Sequence, residues 1–264
     1  MAGFFEGTMN ARLRRALPKF VASAALAAGI GAVFFLTQQH GEDDAHSAHG
    51  HYVGTLRAEG ITLQQRGDLP GAMARFREAI QVAETHGLKA ALVYNRIALA
   101  TVHLTEERYE DAARELRRAA EVAREIRNRM QGATALAYLG QALRLQGRDA
   151  DALAALRESL ELAGTTPSRA RATAHFQMGE AHRARGDHAA ALAAYREAHA
   201  VLREMDDAPG QAAILISIGR TEAALKDPGA ARTMGEARDL LERLGYAARA
   251  AEVETEIAAL NTKR

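Results

Sequence analysis

The feature that most constrains this chain is a ladder of small residues that returns about every 40 positions. Gly60, Ala100, Gly140, Gly179 and Gly219 form one rail, at intervals of 40, 40, 39 and 40 residues. Ala72, Ala112, Ala152, Ala191 and Ala230 form a second, at intervals of 40, 40, 39 and 39. Four residues beyond each of these alanines stands a large apolar side chain: Phe76, Leu116, Leu156, Tyr195 or Met234. Three further on comes a small residue again: Ala79, Ala119, Ser159, Ala198 or Ala237. Steps of four and three place residues on one face of an α-helix. Antiparallel helices approach to about 8–10 Å only where small side chains admit the neighbour, and the large residue between the alanines fills the space that remains. The ladder therefore predicts five helix pairs, each burying its open face on the next.

Composition agrees with an all-α chain. Ala, Leu, Arg and Glu dominate, there are only five prolines, and the β-branched and aromatic residues that favour strands are sparse. Turn phrases separate the helices: "RGDLPGA", "GRDADA", "RGDHAA" and "LKDPGA" inside units, "GTTPS" and "DDAPG" between them. They place Asp68, Asp149, Asp187 and Asp227 as caps of second helices and Pro228 at a first helical position. After Tyr246, "AARAAEVETEIAAL" carries Val253, Ile257 and Leu260 on one side and reads as a helix capping the last unit.

On these residues, over about positions 51–246, the chain resembles the tetratricopeptide repeat family, whose helix-turn-helix motif orders small, small, large and small residues in this way. Its period of about 40 departs from the usual 34. The aromatic common in the first helix is absent from most units, where Leu63, His103, Leu143, His182 and Glu222 lie near its place. The resemblance implies a superhelical solenoid whose first helices line an inner groove that holds a protein or peptide partner. On that basis Thr101, Gln141, Glu180 and Arg220, next to the small anchors, are expected to face the groove, with Arg144 and Arg183 a turn further on. Tyr94 and Phe176 would add apolar contact. A stripe of Arg144, Arg183 and Arg220 would pair with an acidic segment or a carboxylate terminus; the alternative reading takes them as ordinary solvated helix residues.

Ahead of the repeats, positions 20–41 make a run of 22 residues without a formal charge, enough for a helix to cross a bilayer. A cleaved signal peptide also starts basic and then turns apolar, but no A-x-A pair lies at the edge of this run, which favours an uncleaved anchor. Arg12, Arg14, Arg15 and Lys19 precede it and Glu42, Asp43 and Asp44 follow, so the positive-inside rule puts the N-terminus in the cytoplasm. The expected organisation is a cytoplasmic basic segment (1–19), a transmembrane signal-anchor (20–36), a His- and acid-rich flexible linker (37–50) and the repeat domain with its capping helix (51–264). The repeats would then lie outside the inner membrane, in a periplasmic or extracytoplasmic space.

Chemistry is mostly excluded. The chain has no cysteine, hence no disulfide, thiolate metal site or thiol nucleophile. It contains no H-E-x-x-H, G-x-S-x-G or G-x-x-x-x-G-K-[ST] motif. Beyond residue 36 there are 30 basic and 32 acidic residues, a balance unlike that of a nucleic-acid-binding body. His46, His49 and His51, in "HGEDDAHSAHGHY", are candidate ligands for a divalent metal, set against a plain solvated linker. No cofactor is expected otherwise. The sequence thus predicts a membrane-anchored, non-enzymatic scaffold or adaptor for assembly, secretion or envelope biogenesis. The rival reading is a sensor that responds to a peptide, or to metal held by the His-rich linker.

Overall fold

The computed structural model describes residues 48–262. The basic N-terminal segment, the apolar span, His46 and the linker as far as residue 47 lie outside the described residues. Eleven helices follow one another: α1 (Ala48–Gln65), α2 (Leu69–Thr85), α3 (Lys89–Thr105), α4 (Tyr109–Glu125), α5 (Arg129–Leu145), α6 (Asp149–Ala163), α7 (Arg169–Ala184), α8 (His188–Glu204), α9 (Ala208–Ala224), α10 (Ala230–Arg243) and α11 (Ala247–Asn261). No strand occurs among the described residues. The helices pair as α1/α2 through α9/α10, and each pair packs on the next to make an all-α solenoid closed by α11. Ala48, His49 and Gly50, assigned to the linker by sequence, belong to the first turn of α1. Among the described residues no helix is long and apolar enough to cross a membrane.

The long period has a simple origin. Six of the helices have 17 residues, and most turns have three, so one pair with its two turns takes 40 positions. Every rung of the second-helix ladder is buried, from Ala72, Phe76 and Ala79 in α2 to Ala230, Met234 and Ala237 in α10. The first-helix anchors show why they are small. A Cβ placed on Gly60 would lie 2.6 Å from the Phe76 ring, and one on Gly179 would lie 2.5 Å from the Tyr195 ring. Gly140 meets Leu156 and Gly219 meets Met234 in the same way. The large residue of each second helix therefore seats on the small residue of its own first helix. Ser159 fills its small-residue rung in α6 and donates to the Ala133 carbonyl of α5 at 2.7 Å, which satisfies its buried hydroxyl.

Nine of the ten turns share one construction. The second residue past the helix end adopts positive φ, and the N–H of the next residue donates to a carbonyl five residues back at 2.8–3.0 Å, from Asp68 to Leu63 and so on to Tyr246 and Leu241. Glycine supplies the left-handed residue in five of these turns; Glu107, Arg127, Asp206 and Lys226 supply it in the others. A left-handed non-glycine residue costs about 1–2 kcal/mol. Lys226→Gly is accordingly expected to raise stability by about 0.5–1 kcal/mol after the larger entropy of the unfolded glycine is subtracted, measurable by thermal denaturation.

The capping assignments need two corrections. Asp68 and Asp187 do cap their helices, accepting from the N–H groups of Gly71 and Ala190 at 3.0 and 3.1 Å. Asp149 is instead the first residue of α6, because Arg148 takes the cap position, and no side-chain hydrogen bond caps this helix. Asp227 accepts from Gly229 in a local turn, and α10 starts at Ala230, so Pro228 lies before the helix and not at its first position. Asn128, Ser168 and Asp207 cap α5, α7 and α9.

Candidate functional site

Polar side chains knit the first helices to one another. Arg57 of α1 lies over the Tyr94 ring of α3, 5.3 Å from its centroid, and Gln64 Nε2 donates to Thr101 Oγ1 at 3.4 Å. Between α5 and α7, Arg144 Nε donates to Gln177 Oε1 at 3.0 Å. Arg220 of α9 forks onto Glu256 of α11 at 2.8 and 2.6 Å, and this hydrogen bond raises the Arg220 pKa. Each bridge runs from one unit to the next or to the cap.

The predicted groove residues fall into three groups. Tyr94, Gln141, Phe176 and Glu180 are buried; Thr101, Arg144 and Arg220 are half-buried; Arg183 is exposed. Phe176 packs against Tyr195, with ring centroids 5.8 Å apart. Glu180 accepts from the Tyr195 hydroxyl at 2.5 Å and pairs with Arg183 at 2.8 Å. Burial alone would raise the Glu180 pKa, but the hydrogen bonds from Arg183 and Tyr195 outweigh it and hold the carboxyl below its usual range. Burial and the Glu180 charge push the Tyr195 hydroxyl pKa up. The three arginines are therefore no open stripe, since each already has a partner within the chain, and Gln141 is covered where α5 packs on its neighbours.

His49 and His51 both lie exposed in α1. The His49 ring stacks on His86, at the end of α2, with centroids 3.6 Å apart. Among the described residues no three histidine or carboxylate side chains gather closely enough to hold a metal ion.

Open concavities lie on the other side, between successive second helices. A cleft of about 320 Å³ separates α2 from α4 and is floored by Arg96, Leu99 and His103 of α3. Arg96 is bound by Glu84 of α2 and by Glu115 of α4, the latter at 2.5 Å. At the end of the cleft Arg108 pairs with Asp111 at 2.5 Å. Burial, then the charge of Arg108, lowers the His103 pKa and keeps the imidazole neutral near pH 7. The next cleft, about 250 Å³ between α4 and α6, is mainly apolar, with Leu136, Gly132 and Leu162 inside and Arg127 and Arg129 around it. Sequence reading passed over Arg96. Its signal was available, because Arg96 sits four residues before Ala100, at a ladder position that holds leucine in three other units.

The tetratricopeptide repeat family model matches residues 89–164 and 170–243. No curated protein matches the chain in sequence. Several solved structures are similar to it. BtubC (BKLC) from P. vanneervenii aligns with a TM-score of 0.63 at 19% identity, over 83% of this chain and 91% of that one. A thermophilic TPR protein from Thermus thermophilus aligns with a TM-score of 0.57 at 16% identity, over 80% and 99%. The apo form of RapI aligns with a TM-score of 0.58 at 14% identity, over 96% of both chains. At such identities the likeness is one of fold.

Proposed function

This chain belongs to the tetratricopeptide repeat family, and from that premise we propose that it is a non-enzymatic scaffold that holds a protein or peptide partner at a membrane. The observation that carries the binding role is the pair of clefts flanking α4, open on the surface while the whole apolar ladder is buried. A solenoid of stacked pairs offers extended surface without a catalytic constellation. In this reading no cofactor takes part. The partner side is tested by placing a photo-crosslinking amino acid at Arg118, beside the first cleft, and in a second variant at Arg183, on α7. A discrete protein adduct in native membranes is expected from at least one of them. Absence of any adduct from both overturns the scaffold reading.

The membrane role is supported by sequence alone. The uncharged run 20–41, with basic residues before it and acidic residues after it, fits a single-pass anchor in the inner membrane with the repeats on the extracytoplasmic side. Such a tether confines the binding surface to the membrane and suits assembly, secretion or envelope biogenesis. Alkaline phosphatase fused to the C-terminus is expected to be active, and green fluorescent protein in its place to stay dark. The reverse pattern overturns the orientation.

A further inference from the structure

Large apolar side chains join each unit of the solenoid to the next, except at one junction. A cluster with Ile80, Leu92 and Leu99 binds the first unit to the second, and one with Leu116, Leu136 and Leu139 binds the second to the third. Val201, Leu202, Ile214 and Ile218 knit the fourth unit to the fifth, and Leu215, Met234 and Val253 knit the fifth to the cap. Between the third and fourth units only two small groups of buried residues meet: Ala133 with Ala163 and Ala170, and Ala137 with Leu156 and Ala174. Leu156 is already seated on Gly140 of its own unit, and Leu160, Leu162 and Met178 beside these groups are only partly buried. Helices lock at a given angle when the ridges of one enter the grooves of the other, and single methyl groups make shallow ridges. This surface lets α7 approach α5 and α6 closely without fixing its angle.

Other features coincide there. The connection 164–168 is the one turn that departs from the shared construction: Gly164 ends α6 with φ 63° and ψ −145°, and Thr165, Thr166 and Pro167 stand exposed. Ion pairs link the other neighbours, Arg96 to Glu84, Arg124 to Glu158 at 2.9 Å, Arg169 to Asp207 at 2.5 Å and Arg220 to Glu256 at 2.6 Å. Among the described residues no ion pair crosses from the third unit to the fourth, where Arg144 reaches Gln177 by a hydrogen bond instead. One face of α7 is also incompletely covered, with Arg171, His175, Met178 and His182 half-buried. In α3 the register of His175 and His182 holds Arg96 and His103, both buried at the floor between α2 and α4. The second helices α6 and α8 therefore cover their first helix less completely than α2 and α4 cover theirs.

We infer that the solenoid flexes as two bodies, residues 48–163 and 169–261, by a rolling of α7 on the alanine faces of α5 and α6 with the connection 164–168 as pivot. Packed helices that slide on one another, together with a short exposed segment that absorbs backbone rotation, allow such movement without unfolding. Rolling alters the gap between α6 and α8, and with it the exposure of His175, Met178 and His182. The two clefts flanking α4 lie wholly within the first body and keep their shape. The inference rests on the repeat fold and goes beyond the scaffold reading, since it holds whether or not a partner is bound.

The chain has no cysteine, so introduced cysteines carry spin labels without background. Three pairs at exposed positions each span two steps of the stack: Gln81→Cys with Ala154→Cys inside the first body, Ala193→Cys with Thr255→Cys inside the second, and Glu121→Cys with Ala200→Cys across the junction. Arg118→Cys with Ala193→Cys gives a second crossing pair from other exposed sites. Double electron–electron resonance on the full chain in detergent micelles is expected to give distance distributions about twice as broad for the crossing pairs as for the internal ones. Helicity should be unchanged in every labelled chain. Equal widths in all four pairs overturn the inference: narrow throughout means one rigid body, and broad throughout means bending spread over every junction. Either result leaves the scaffold reading to its own crosslinking test.

Discussion

Gly60→Ala is expected to destabilise the first helix pair by about 2–3 kcal/mol, at the upper end of ordinary overpacking. Ala is the better helix former by about 1 kcal/mol, so any loss opposes intrinsic propensity and reports the contact alone. That contact is severe, because the added methyl meets three atoms of the Phe76 ring within 2.9 Å and a ring cannot bend aside. The second unit provides the cure. There the same two rungs are Ala100 and Leu116, both fully buried in one cluster. Phe76→Leu alone should cost about 1–2 kcal/mol through the space it leaves. Combined with Gly60→Ala it should recreate the second unit's pair and lose less than the glycine substitution alone. Denaturant titration of the four chains in this cycle gives the coupling, and strict additivity would show that the two rungs do not meet.

Glu180→Ala should cost about 2–3 kcal/mol near pH 7, since it leaves the buried Tyr195 hydroxyl without its acceptor and Arg183 without its partner. Glu180→Gln keeps the shape and removes the charge. Because the folded-state pKa of Glu180 is depressed, the advantage of the native chain over the glutamine variant is complete above the unfolded carboxylate pKa of about 4.3 and declines as pH falls through the folded value. Thermal denaturation at about pH 7 and at about pH 3 measures it. A difference that persists undiminished in acid would mean that the Glu180 charge contributes nothing.

The architecture was legible because packing restricts sequence most where helices touch. Phe76, Leu116, Leu156, Tyr195 and Met234 could not be buried at one contact in every unit without small residues opposite, and that requirement repeats in plain view. The turns were half legible. Asp68 caps as expected, whereas Asp149 does not, because a cap depends on where the left-handed residue falls and Gly147 places Arg148 at the cap. The groove was poorly legible. Adjacency to an anchor fixes a residue's direction on its own helix but not what the next unit lays over it, so Gln141 and Glu180 are covered while Arg183 remains exposed. Arg96 went unread for the opposite reason: its register was clear, but a charge at a leucine position acquires meaning only once the cleft beside it is seen.

In the four units with a glycine anchor, that anchor meets the large residue 15 or 16 positions on, as Gly60 with Phe76 and Gly219 with Met234, so this contact lies within the unit and not across its borders. A lineage carrying this chain can therefore gain or lose a 40-residue module by in-frame duplication or deletion, and the module brings its own closest contact with it. Copy number becomes a heritable dial on the reach of the molecule, one that evolution can turn in whole steps without first inventing a new interior.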